Sequence, residues 1–166
     1  MKNLRLISFA MLLLLMGGLV TFSSCKKDDD DSPSKTKMIS GKKFFAKAMK
    51  IEPGVSTPGG VTITDLYPFL LDCVKDNYTT FSENGTFIDD EGATKCEPGD
   101  PQTINGTWEF MNDETQLKQT YGNEYQIYNI VELTNSVLKL SFSQLEDFEF
   151  GDGEQLYKVT LEFEAR

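Results

Sequence analysis

The segment QLYKVTLEFEA, residues 155–165, alternates along its length: Tyr157, Val159, Leu161 and Phe163 fall on one side, and Lys158, Thr160, Glu162 and Glu164 on the other. Side chains leave a strand on opposite faces with period two, so the segment reads as a strand with one buried and one wet face. Leu138, Leu140 and Phe142 repeat the pattern against Lys139, Ser141 and Ser143, while YQIYNIVEL (125–133) is apolar on both faces. Turn signals recur at short intervals: Asn84-Gly85, whose positive-φ preference suits a two-residue hairpin, then Asn105-Gly106, Asn135-Ser136 and Gly151-Asp152-Gly153. About eight strands follow, near 42–51, 78–82, 86–89, 106–111, 115–119, 124–134, 136–143 and 155–165. Short connections make sequence neighbours spatial neighbours, and a meander of this size removes its edges by closing into a barrel. The expected fold is therefore all-β, an antiparallel up-and-down β-barrel, with an open sandwich as the alternative.

One stretch breaks the alternation. TDLYPFLLDCVKDN (64–77) lacks period two, Thr64 or Asp65 can cap a helix start, and Pro68 suits a first turn. It predicts one short helix of a turn or two packed over an end of the sheet. The Pro/Gly-rich EPGVSTPGGV (52–61) before it reads as a loop.

The 166 residues hold 26 Asp+Glu against 16 Lys+Arg and no histidine, with a pI near 4.5. An acidic body repels phosphate backbones, so nucleic acid is not an expected partner. Without histidine the chain lacks the usual neutral-pH base and the commonest zinc ligand. Carboxylates remain, and paired acids can hydrolyse glycosides. Asp89, Asp90, Glu91, Glu146, Asp147 and Glu149 are available, but nothing singles out a pair, and no phosphate loop or nucleophile motif is present. No catalytic residue, metal ligand or cofactor is expected.

The N-terminus reads as a targeting segment. Lys2 and Arg5 precede the apolar run Leu6–Val20, which is shorter than the roughly 20 residues of a comfortable membrane span. Phe22-Ser23-Ser24-Cys25 then resembles a bacterial lipobox, which implies a signal peptide over 1–24 and lipid attachment at Cys25. An ordinary secretory signal and a transmembrane anchor are the alternatives. Two or more acyl chains, palmitate among them, would hold the chain on a bilayer. Residues 25–37 form a polar tether without apolar periodicity, followed by the domain at 38–166. Cys25-Lys26-Lys27-Asp28-Asp29 resembles the lysine-plus-acid export signal of Bacteroidetes lipoproteins, which implies display on the outer face of the outer membrane, with the periplasmic face as the alternative. The aspartate run has no preorganised geometry for calcium, and the Asn-x-Thr triplets at Asn77, Asn84 and Asn105 read as turn chemistry.

After Cys25 only Cys73 and Cys96 remain, so one internal disulfide is open to an exported chain, with two separate thiols as the alternative. It would pin the short helix to the loop after the first hairpin and stabilise the fold by about 3 kcal/mol in the chain-entropy account.

LLDCVKDNYTTFSENGTFIDDEGATKC (70–96), GTWEF (106–110) and YQIYNIVELTNSVLKLSF (125–142) together resemble the lipocalin-like lipoproteins of the Bacteroidetes. In that family a C-x-K-D-N segment enters an Asn-Gly hairpin, followed by a second cysteine, a Gly-x-Trp strand and a strand ending in Leu-Thr. The resemblance implies a small antiparallel barrel and no single established activity. It departs from the family at Phe44 and Phe45, where a tryptophan is common.

Two readings of function lead. In the first, the barrel binds a small apolar or amphipathic ligand, lined by Trp108, Phe110, Tyr125, Ile127, Leu140, Phe142, Tyr157 and Phe163. The same side chains serve equally as plain core. In the second, a filled barrel docks on an envelope protein or polysaccharide through acidic loops at Asp89–Gly92 and Glu146–Glu154, where Phe148 and Phe150, if exposed, mark a contact. A cavity of about 300 Å³ or more separates the two.

Overall fold

The computed structural model describes residues 33–148 and 153–166. The expected signal peptide at 1–24, Cys25, the acidic run, Glu149, Phe150 and the first two residues of the expected turn at Gly151-Asp152-Gly153 lie outside the described residues.

Among the described residues there are nine antiparallel strands: β1 (Lys43–Ser56), β2 (Thr62–Asp65), β3 (Tyr78–Phe81), β4 (Thr86–Asp90), β5 (Thr103–Met111), β6 (Gln116–Tyr121), β7 (Glu124–Leu133), β8 (Val137–Glu146) and β9 (Gln155–Ala165). Eight of them, β1 and β3 to β9, pair in chain order and close when β9 returns to β1, from Phe44↔Ala165 to Glu52↔Lys158. The fold is thus the expected all-β up-and-down barrel, and closure leaves its ring without a free edge.

β2 is the ninth strand. Thr64 or Asp65 was expected to cap a helix start, and β1 was expected to stop near 51. Instead β1 runs through Pro53 and Gly54, parts of the expected loop, and pairs there with β2 at Val55↔Ile63 and Ser56↔Thr62. The close approach accounts for Gly54, since a Cβ there would lie 2.6 Å from the Thr62 methyl. Asp65 joins the two: its Oδ1 accepts the amides of Met49 and Tyr67, and its Oδ2 takes Lys50 Nζ at 2.7 Å. The helical stretch follows as a 3₁₀ turn at Tyr67–Phe69, with Pro68 near its start, and a short helix at Asp72–Lys75.

Asn105-Gly106 is not a turn but lies inside β5. Gly106 stands opposite Phe87 on β4, and an added Cβ would lie 2.5 Å from the Phe87 ring and from Thr120 O on β6. The glycine here makes room for a ring rather than bending the chain.

A helix at Lys35–Ile39 (α1) takes in Lys35, Thr36 and Lys37 from the stretch read as tether. The Ser34 side chain accepts Lys37 N–H at its start, and Ile39 at its end is fully buried. Ile39 joins Phe44, Phe81, Phe87, Trp108, Leu117, Leu138 and Leu140 in the main core. The rings meet edge to face, Phe44 on Phe81 at 6.0 Å, Phe81 on Trp108 at 5.7 Å, and Trp108 on Phe110 at 5.2 Å. Trp108 Nε1 donates to Ser82 O at 3.0 Å, so the indole is buried without an orphaned donor. Burying each large apolar side chain contributes roughly 1.5–3 kcal/mol. This end of the barrel is closed.

Candidate functional site

The strands alternate in direction, so the α1 end holds the β3–β4, β5–β6 and β7–β8 turns. The other end holds β2, the short helix at Asp72–Lys75 (α2) and the 91–102 loop. The bulky rings gather at the α1 end, whereas Ala46, Met49, Thr79 and Ile104 occupy the walls toward the other. A cavity of about 370 Å³ results.

Its walls follow from strand pairing. Directly paired residues share a face, so Ala46↔Phe163 and Met49↔Leu161 place all four on one side of the β1–β9 ribbon. The register shifts between Ala46 and Ala48, and this bulge brings Met49 rather than Ala48 to the cavity. Phe44, Tyr78, Thr79, Asp89, Asp90, Glu91 and Ile104 complete the walls, with Leu70, Val74 and Asn77 at the α2 side. Phe69 and Leu71, next to these, are 68% and 66% exposed, so the mouth has an apolar border.

A disulfide holds this border. Cys73 on α2 is joined to Cys96 in the 91–102 loop, with Cα atoms 5.2 Å apart. Asp76 reinforces it by accepting the amides of Ala93 and Thr94 at 3.0 and 2.9 Å, and Asn77 bridges the carbonyls of Glu91 and Cys73. The Asp76-Asn77 pair of the C-x-K-D-N segment is therefore loop-holding machinery.

The wall is not wholly apolar. Asp89 accepts Thr79 Oγ1 with one carboxylate oxygen and Tyr121 Oη with the other, the latter at 2.9 Å. Burial pushes the Tyr121 phenol well above its ordinary range, and the Asp89 charge adds to this. Tyr128 is raised by burial and then by the same carboxylate. Next to it, Gln102 Nε2 donates to Asp90, and with the Tyr78 hydroxyl and Gly92 amide it holds that carboxyl below the usual aspartate range against the opposing effect of burial.

Of the eight residues expected to line a ligand site, Phe163 lines this cavity. Leu140 is buried and borders a void of about 20 Å³ that shares Phe44, Thr79 and Phe163 with it. Trp108 and Phe110 belong to the closed end. Tyr125 is 63% exposed, with Lys118 Nζ 5.4 Å from its ring centroid, and Ile127 pairs with Lys118. Phe142 packs on Tyr128 at 5.6 Å. Tyr157 is fully buried in a second cluster with Ile51 and Val55. Most of these large side chains fill the core, and the open volume lies beside Ala46, Thr79 and Ile104 as well as Phe163.

Asp89 was expected on an exposed acidic loop. It is instead two residues after the buried Phe87 on β4, and period two turns both inward. That alternation was readable, as was Leu161 beside Phe163. Phe148, which would mark a contact only if exposed, is partly buried on Tyr157 at 5.1 Å. Phe150 lies outside the described residues.

A closed barrel with one end packed and the other opening on an apolar cavity is the architecture of a small-ligand-binding barrel. The family model of the lipocalin-like domain matches residues 54–140, more than half of the chain, and the chain belongs to that family. No curated protein matches it.

Proposed function

We propose that this chain is a non-enzymatic binding module that takes a small apolar or amphipathic molecule into the barrel, on a domain lipid-anchored through Cys25 to the outer membrane and displayed at the cell surface. The observation that carries the reading is the cavity of about 370 Å³ between Ala46, Leu161 and Phe163. It lies within the range of small-molecule sites, roughly 300–1,000 Å³. Apolar surface removed from water there contributes about 25 cal/mol per Å², and the polar group on the wall orients what enters. The anchor rests on the lipobox-like Phe22–Cys25 and the Lys-Lys-Asp-Asp signal after it.

Titrating the chain with N-phenylnaphthylamine, which fluoresces in apolar surroundings, tests binding. Saturable enhancement is expected, and Ala46→Trp, which fills the cavity, weakens it at least tenfold. Enhancement that never saturates, or that Ala46→Trp leaves intact, contradicts the reading. Labelling with a radioactive fatty acid tests the anchor: the label is incorporated in the native chain and lost in Cys25→Ala.

One observation favours the second reading, docking on an envelope protein. Leu145 and Leu156 pair directly across β8 and β9, and each is 60% exposed. A pair of leucines is small for a stable interface, so the cavity leads.

A further inference from the structure

The cavity has an apolar body and three carboxylates in its lining, Asp89, Asp90 and Glu91. Asp90 is taken up by Gln102, Tyr78 and the Gly92 amide, and Asp89 is the one that period two turns inward beside Phe87. Asp89 is held there by neutral groups, the hydroxyls of Thr79 and Tyr121. A carboxylate offers about four acceptor positions, so two hydroxyls leave capacity for a further donor. Among the described residues lining the cavity there is no lysine or arginine. The cation that acts on the neighbouring Asp90 is Lys43, whose ammonium sits 4.0 Å from the Tyr78 ring centroid. The site therefore carries negative charge whose partners on the wall are neutral dipoles.

We propose that the cavity selects an amphiphile with a positively charged head, an alkylammonium rather than an alkylcarboxylate, with Asp89 as its counter-charge. The inference rests on reading the cavity as a binding site and names the ligand class. An apolar chain is served by Ala46, Met49, Leu161 and Phe163 whatever its head. The head decides the rest, because a charge brought out of water needs an opposite charge to offset its lost hydration. An ammonium meets one at Asp89. A carboxylate meets a like charge with no cation to offset it, and a hydroxyl stands between. The raised phenol of Tyr121 agrees with this, since it stays a neutral donor to the carboxylate. The net charge of −10 disfavours the approach of anions as well.

The test displaces N-phenylnaphthylamine from the full-length chain with decylamine, decanol and decanoate, which share an apolar chain and differ in the head. Decylamine is expected to bind at least tenfold tighter than decanoate, with decanol between them. Asp89→Asn, of the same size and still able to bond both hydroxyls, brings decylamine down to the decanol level. Decanoate binding as tightly as decylamine to the native chain overturns the inference without recourse to any variant. So does an amine preference that survives Asp89→Asn in a variant with native circular dichroism. Equal displacement by all three overturns the charge preference and leaves the binding site standing. Displacement by none overturns both.

Discussion

Tyr121 Oη reaches Asp89 Oδ2 at 2.9 Å although their strands, β6 and β4, are not neighbours. β5 lies between them, and at the crossing it carries Gly106. With no side chain in the way, the Tyr121 ring lies edge-on to Phe87 at 4.9 Å and its hydroxyl passes on to the carboxylate. The glycine thus positions the donor that holds Asp89 in the cavity wall.

Tyr121→Phe keeps the ring and deletes the hydroxyl. It leaves Asp89 with one fewer donor in a partly buried place, which is expected to cost about 1–3 kcal/mol. A urea midpoint lowered at constant slope in equilibrium unfolding checks this.

Gly106→Ala puts a methyl 2.5 Å from both the Phe87 ring and Thr120 O. The ring can tilt but the backbone oxygen cannot, so a loss of about 1–3 kcal/mol is expected. The near-ultraviolet circular dichroism of the aromatic cluster should weaken with it. An unchanged midpoint would show that Tyr121 does not need the gap.

Cys73 and Cys96 are 23 residues apart. Replacing both with serine frees that loop in the unfolded chain and costs about 3 kcal/mol in the entropic account. Because the bridge borders the cavity mouth, amide exchange in 70–77 and 91–102 is expected to rise more than in β8 and β9. Uniform acceleration across the barrel would contradict that placement.

Two carboxyls give the fold an acid limit. Burial works to raise Asp65, but Lys50 and the amides of Tyr67 and Met49 outweigh it, so its pKa falls below the ordinary 3.8. Asp90 is lowered as well, by Gln102, Tyr78 and Gly92 against burial. A folded-state pKa below the unfolded one gives stability that is fully present above the unfolded value and lost as pH falls through the folded one. Asp65→Asn is therefore expected to flatten the loss of stability below the ordinary value of 3.8 and to leave its slope near neutrality unchanged. Denaturation midpoints across that range read this directly.

The barrel was legible because β8 and β9 write their faces in strict alternation, and Asn84-Gly85 and Asn135-Ser136 mark turns that exist. β2 was not, because TITD is too short to show a period and follows Pro58-Gly59-Gly60. Gly106 read as a turn because a glycine's local preference says nothing of a ring packed from another strand. α1 was missed because a five-residue helix carries little pattern, and Ile39 declares its burial only once the barrel is closed. The site was least legible. Core and cavity wall share the same inward face, and what separates them is side-chain volume at Ala46 and Thr79 together with a bulge beside Ala46.

The most direct test of the binding reading follows the side-chain methyl resonances of Ala46, Met49 and Leu161 while decanol is added to the chain. A ligand in the barrel shifts these three together along one saturating curve and leaves Leu145 and Leu156 still. Shifts confined to Leu145 and Leu156, or no saturating shift at Ala46 and Leu161, would contradict a ligand site inside the barrel.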